Sequence, residues 1–152
     1  MSPHSPAAGR IAGVDFGTVR IGLAVSDADR KVASPLENYT RRGAEQNARR
    51  FKRLVEEEQI VLFVVGLPLH MDGRESEKSL EARRFGKWLT EATGLPVEFF
   101  DERLTSHEAE QLLIDAELTQ KRRKKRIDML AAQIILRGYL ESGADGVGRE
   151  VV

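Results

Sequence analysis

The chain has 152 residues, 24 of them basic and 24 acidic, so its net charge is zero and overall charge argues for no polyanionic partner. It has no cysteine, which excludes disulfides, thiolate zinc sites and cysteine nucleophiles. The longest apolar run, 60–69, contains Gly66 and Pro68 and is too short to span a bilayer, and residues 1–9 lack the basic and apolar regions of a signal peptide, so a cytoplasmic protein with no membrane partner is expected.

Residues 1–9 and 143–152 read as flexible termini around one domain at 10–142. Three short strand patterns, 10–16, 21–26 and 31–38, follow one another across short polar gaps and predict a hairpin meander. From 44 to 58 the spacing turns helical, with Ala44, Ala48, Phe51 and Val55 on one face. The continuous β-branched run 60–66 predicts a strand covered on both faces. Asp72 and Glu75 resemble a capping box that opens a helix ending at Thr93, before Gly94 and Pro96, with Phe85, Trp88, Leu89 and Ala92 inward. A fifth strand is expected at 97–100. Thr105 and Glu108 form a second capping-box pattern, opening a helix to Ala116. A last helix, about 125–142, is expected to bury Ile127, Leu130, Ala131, Ile134 and Gly138. This order predicts an α/β fold: a mixed five-stranded sheet of three antiparallel hairpin strands plus two parallel ones, with helices on both faces.

In such a sheet ligands gather at the carboxyl ends of the parallel strands. The first strand ends at Asp15 and the fifth runs into Asp101 and Glu102. Side chains alternate along a strand, so only one of Asp101 and Glu102 is expected to face the site. Asp128 sits early in the last helix, at the border of its predicted apolar stripe beside Ala131, Ala132 and Ile135. Asp15, Glu102 and Asp128 can therefore converge. Three clustered carboxylates repel one another unless cations neutralise them, and an oxygen-only donor set suits Mg²⁺ or Mn²⁺. Each acid also has a plainer reading: Asp15 as a turn former, Glu102 as a partner of Arg103, Asp128 as a solvated helix residue. The joint placement carries the argument.

Four segments closely resemble the YqgF (RuvX) family: Asp15-Phe16-Gly17-Thr18-Val19-Arg20-Ile21-Gly22, Val65-Gly66-Leu67-Pro68-Leu69-His70-Met71-Asp72-Gly73, Asp101-Glu102-Arg103-Leu104-Thr105-Ser106 and Ile127-Asp128-Met129-Leu130-Ala131-Ala132. They run in family order between about 10 and 140. The resemblance implies a ribonuclease H-like fold related to the RuvC Holliday-junction resolvases. It implies metal-dependent phosphodiester hydrolysis and a bacterial cytoplasmic role at the 5′ end of the 16S ribosomal RNA precursor. Carried across, the catalytic and metal-binding acids are Asp15, Glu102 and Asp128. Position 70 departs from the pattern, being His where many members have Asn.

Lys121, Arg122, Arg123, Lys124, Lys125 and Arg126 form an unbroken basic run ending two positions before Asp128. Clustered cations beside a catalytic helix fit phosphate binding, and Arg20 is a candidate guide for the substrate backbone. A second cluster, Arg41, Arg42, Arg49, Arg50, Lys52 and Arg53, reads equally well as a polar helix face. A nuclease acting on ester bonds is expected, with nucleic acid as partner: pre-rRNA, single-stranded DNA or branched DNA, and ribosomal particles as the cellular setting. The competing readings are a resolvase-like DNase, a non-catalytic nucleic-acid-binding or transcription-associated module, and one half of an actin-like ATPase or sugar kinase. The last needs a second phosphate-binding half that this length does not supply. A monomer or weak homodimer is expected.

Overall fold

The structure, a computed structural model, describes the backbone of residues 9–105, 120–142 and 149–151, and the side chains of these except at 120–128 and 149–151. Strands β1 (Arg10–Phe16), β2 (Arg20–Ser26) and β3 (Ala33–Thr40) lead into helix α1 (Ala44–Glu58). Then come β4 (Ile60–Leu67), α2 (Glu77–Thr93), β5 (Val97–Asp101), a 3-10 turn (Glu102–Leu104), α3 (Gln120–Ser142) and β6 (Arg149–Val151). The sheet order is β3-β2-β1-β4-β5-β6. The first three strands form the expected antiparallel meander, and β1, β4 and β5 run parallel.

The five predicted strands are all present. The sixth corrects the reading of a flexible tail over 143–152, because 149–151 pair antiparallel with β5 at the sheet edge. Three residues beside a glycine-rich stretch carry too little pattern to signal a strand. The helix predicted from Thr105 to Ala116 lies, beyond Thr105, outside the described residues.

Strict alternation along the central strands divides the core in two. Ala12 and Val14 of β1, Ile21 and Leu23 of β2, Phe63 and Val65 of β4, and Phe99 of β5 meet α1 and α2 on one face. Ile11, Leu62, Val64 and Phe100 meet α3 on the other. The β4 run is apolar throughout because it is covered on both sides, as its sequence predicts.

Helix α2 begins one turn later than expected. Ser76, not Asp72, is its N-cap: the Ser76 hydroxyl accepts from the Ser79 amide at 2.9 Å, and the Ser79 hydroxyl accepts from the Ser76 amide at 2.7 Å. Asp72 instead pairs with Arg74 in the preceding turn, at 2.6 Å. Gly94, with φ of 74°, ends the helix in the left-handed region as predicted.

Helix α3 differs more. It starts at Gln120, five residues before the expected start at about 125, so the whole basic run lies inside its first two turns. Lys and Arg are good helix formers, which allows this. The centre of its buried face is Ala132, Ile135, Leu136 and Tyr139, with Leu130, Ala131 and Ile134 only half-buried at the margin. Gly13 causes the rotation. A Cβ built there would stand 2.8 Å from the Ala132 carbonyl oxygen and 2.7 Å from the Leu136 Cβ, so the bare glycine lets the helix backbone settle on β1. At the far end the Tyr139 hydroxyl donates to the buried Glu98 carboxylate at 2.6 Å. That bond satisfies both groups inside the core and fixes the rotation from the other side.

Candidate active site

Alternation places Asp15 on the α3 face of β1, continuing Ile11 and Gly13, while Phe16 faces α1 and α2. On β5 the same alternation sends Glu98 and Phe100 toward α3, and Glu102, the first residue after the strand, follows them. The Glu102 Cδ lies 3.2 Å from the point where a Cβ on Gly66 would stand, and Ile135 Cδ1 lies 2.5 Å from the same point. Glycine at position 66 thus makes room for the carboxylate between β4 and α3. Asp15 and Glu102 emerge at one edge of the sheet, on one face, at the carboxyl ends of parallel strands.

Electrostatics bind the two together. Burial pushes the Glu102 carboxyl up from its ordinary 4.5 to about 7; the Asp15 charge adds to the rise, and Asp101 adds less. Lys78, in the first turn of α2, pulls the other way. A carboxyl that holds its proton to neutrality beside a second carboxylate marks a place where a cation is the natural partner.

Asp101 behaves oppositely, as alternation predicts. It caps the 3-10 turn by accepting from the Arg103 amide at 2.9 Å and pairs with the Arg103 guanidinium at 2.6 Å. Burial raises its carboxyl, but these bonds outweigh burial and hold it below the usual carboxylate range. The alternative pairing of Glu102 with Arg103 is thereby set aside: Arg103 is committed to Asp101 and to the Met71 carbonyl, which it reaches at 3.1 Å. Through that bond the loop 68–74 is tied beside Glu102. His70 is an exposed residue of this loop, in a tight turn closed by the Gly73 amide donating to the His70 carbonyl at 2.8 Å.

Position 128 falls one turn before Ala132 on α3; its side chain lies outside the described residues. Gln133 donates to the Ala33 carbonyl at 2.9 Å, and Arg137 and Glu141 lie beside residues 30–33, which stand next to the start of β1, so α3 runs with its N-terminal end toward the carboxyl ends of the parallel strands. Position 128 therefore lies on the strand-end side of Ala132. Among the described residues no group of three or more Asp, Glu, His or Cys is gathered to hold a metal. Two oxygen donors are seen, and their donor chemistry fits a hard divalent cation.

Of the other predicted residues, Arg20 is exposed and opens β2 opposite Thr40. Lys121, Arg122, Arg123, Lys124, Lys125 and Arg126 occupy the N-terminal end of α3, nearest the strand ends, with side chains outside the described residues. The sequence missed Lys78, whose charge bears on Glu102 only through the fold. Arg41, read from the sequence only as part of the second basic cluster, donates to the Thr18 carbonyl at 2.8 Å and lies 4.7 Å over the Phe16 ring. These bonds tie the β1–β2 turn down next to Asp15.

The meander, the parallel strands that follow it and acids at their carboxyl ends define a ribonuclease H-like fold. Solved structures agree on the fold. RuvC from T. thermophilus in complex with a Holliday junction substrate superposes with a TM-score of 0.53 at 16% identity, covering 95% of this chain and 99% of that one. The fowlpox virus resolvase with Holliday junction DNA gives 0.54 at 13%, covering 88% and 97%. Residues 9–142 match the family described as "RuvX: Holliday junction resolvase", and the chain belongs to that family. A relative in Rhodopirellula baltica, 48% identical over 90% of this chain and 79% of its own length, bears the name "Putative pre-16S rRNA nuclease". A relative in Syntrophomonas wolfei, 42% identical over 90% of this chain and 97% of its own, bears the same name.

Among the described residues no helix is long and apolar enough to cross a membrane.

Proposed function

We propose that this protein is a divalent-metal-dependent nuclease of the cytoplasm that trims the 5′ end of the 16S ribosomal RNA precursor. The observation that carries the reading is that Asp15 and Glu102 emerge on one face at the carboxyl ends of parallel strands, with Glu102 in the space left by Gly66 and its carboxyl pushed up to about 7 by burial and by Asp15. Two neighbouring carboxylates repel each other in the empty protein and become favourable when a cation enters. The names of the relatives support the ribosomal substrate.

Asp15 and Glu102 hold the cation, Mg²⁺ or Mn²⁺, with Asp128 as the third ligand from α3. When bound, the cation supplies Lewis-acid activation of the attacking water and neutralises charge on the phosphate oxygens. Glu102 must release the proton on its carboxylate oxygen before it can serve as a ligand, so loading is favoured above about pH 7. The run Lys121 to Arg126 at the start of α3 binds the phosphates flanking the cut, and Arg20 guides the backbone across the β1–β2 turn. Nothing in these groups reads base edges, so the ribosomal particle supplies the choice of cleavage site.

A second reading, structure-selective cutting of four-way DNA junctions, is favoured by the family's description and by its fold neighbours on junction DNA. The two separate in a strain depleted of the protein. The ribosomal reading expects 16S precursor with an unprocessed 5′ end, rescued by the wild type and not by Asp15→Asn. Normal ribosomal RNA in the depleted strain, with efficient junction cutting by the pure protein, transfers the assignment to the resolvase. Rescue by Asp15→Asn removes hydrolysis from the cellular role.

A further inference from the structure

Behind the acidic edge, on the opposite face of the sheet, the β1–β2 turn, the start of α1 and the middle of α2 enclose a cleft of about 470 Å³. Its floor is a run of stacked rings: Phe16 on Phe85 at 4.4 Å between centroids, and Phe85 on Trp88 at 5.6 Å. Arg41 covers Phe16, so Trp88 is the ring left open to the cleft. It is only partly buried, and its indole N–H has no partner among the described residues. Arg42 and Arg84 line the rim. Both are exposed, and neither guanidinium makes an ion pair or hydrogen bond among the described residues. Arg42 is nonetheless held in place. Its amide donates to the Asn47 carboxamide at 2.8 Å and its carbonyl accepts from it at 3.1 Å, while Asn47 also accepts from the Tyr39 hydroxyl at 2.7 Å.

We propose that this cleft takes an unpaired nucleobase of the substrate strand, stacked on Trp88, with the adjoining phosphate held by Arg42 and Arg84. An open aromatic surface between two uncommitted cations is complementary to a flat base carrying an anionic backbone. Glu81, on the same rim, is an acceptor for an exocyclic amino group. The location fits the same occupant. Asp15 and Phe16 are consecutive, so a strand whose phosphate lies at Asp15 need only round the β1–β2 turn to bring a neighbouring base to the rings. A paired base cannot reach a recess of this kind, so the cleft confers a requirement for single-stranded substrate next to the cut. The inference rests on the nuclease reading for the identity of the strand.

Trp88 is the chain's single tryptophan, so its emission reports the cleft alone. In the full-length Asp15→Asn protein, which leaves the strand uncut, a short single-stranded RNA should quench that emission saturably. The same RNA in a duplex, or made abasic, should not. Arg42→Ala with Arg84→Ala should weaken the single-strand affinity roughly tenfold or more with an unchanged circular dichroism spectrum. Trp88→Phe should keep most of the affinity, and Trp88→Leu should lose it. Saturable binding by anisotropy with no change in Trp88 emission, and equal affinity in the double arginine variant, overturns the proposal. So does failure to bind any single strand. Loss of a dimer in Arg84→Glu, with no effect of bases on emission, gives the cleft to a second copy and also overturns it. Cleavage by the wild type is scored separately. A cutting enzyme whose Trp88 is silent loses only this inference, whereas a non-cutting protein with the expected quench loses the nuclease reading and keeps the cleft.

Discussion

The Glu102 carboxyl carbon lies 3.2 Å from where a Cβ on Gly66 would stand, so the glycine on β4 and the acid after β5 occupy one space between sheet and helix. A methyl at position 66 would also meet Ile135 Cδ1 at 2.5 Å. Gly66→Ala should therefore push Glu102 out of place while the strand persists. Overpacking of this kind costs about 1–3 kcal/mol. Cleavage should fall much further than melting temperature does. A variant that unfolds at lower temperature yet retains full activity when folded would show that Glu102 does not need this position.

Gly13→Ala tests the helix in the same way. Its methyl would stand 2.8 Å from the Ala132 carbonyl oxygen, a backbone atom with no rotamer in which to escape. The helix must lift from β1, carrying position 128 with it. A destabilisation of about 1–3 kcal/mol in urea unfolding is expected, together with weaker metal binding by calorimetry. Unchanged metal affinity would mean that α3 does not contribute a ligand.

The Glu102 proton makes the stability of the metal-free protein depend on pH. The folded carboxyl keeps its proton to about pH 7, against an ordinary value of 4.5. Between those values the folded state binds more protons than the unfolded one, so stability falls as pH rises through the window and is greatest below it. The drop should be on the order of 3 kcal/mol, and Glu102→Gln should flatten it. Saturating Mn²⁺ should also flatten it, since a cation replaces the proton. Denaturant unfolding at a series of pH values measures all three, and an identical slope in Glu102→Gln would count against the coupling.

Neutralising three or more of Lys121, Arg122, Arg123, Lys124, Lys125 and Arg126 should weaken binding to all sequences alike. It should reduce the salt dependence of affinity by about one unit of slope for each phosphate that is no longer neutralised. An unchanged slope would make the run an ordinary solvated helix surface.

Much of this arrangement was legible along the chain because its signals are local. Asp15 stands out as an acid ending an apolar strand, and β1 and α1 begin and end where their patterns say. Other features depend on residues distant in sequence. The last helix offers two apolar stripes, one through Ile127, Leu130 and Ile134 and one through Ala132, Ile135 and Tyr139. The bare surface at Gly13 and the buried acceptor Glu98 decide between them. Asp72 with Glu75 and Ser76 with Ser79 are both capping patterns, and Arg74 draws Asp72 away. The cleft on the far face draws its walls from the β1–β2 turn, α1 and α2, so no stretch of sequence announces it.

The proposed hydrolysis depends on a cation held by Asp15, Glu102 and Asp128. Its most direct measurement is cleavage of a 16S precursor 5′ segment by the purified protein, with and without Mn²⁺, beside Asp15→Asn, Glu102→Gln and Asp128→Asn. The wild type should cut only with metal, and Mn²⁺ should raise its melting temperature by mass action. Each variant should lose nearly all activity, keep its fold and gain little from Mn²⁺. Wild-type rates in all three variants, or equal cutting in the presence of a chelator, would contradict the account.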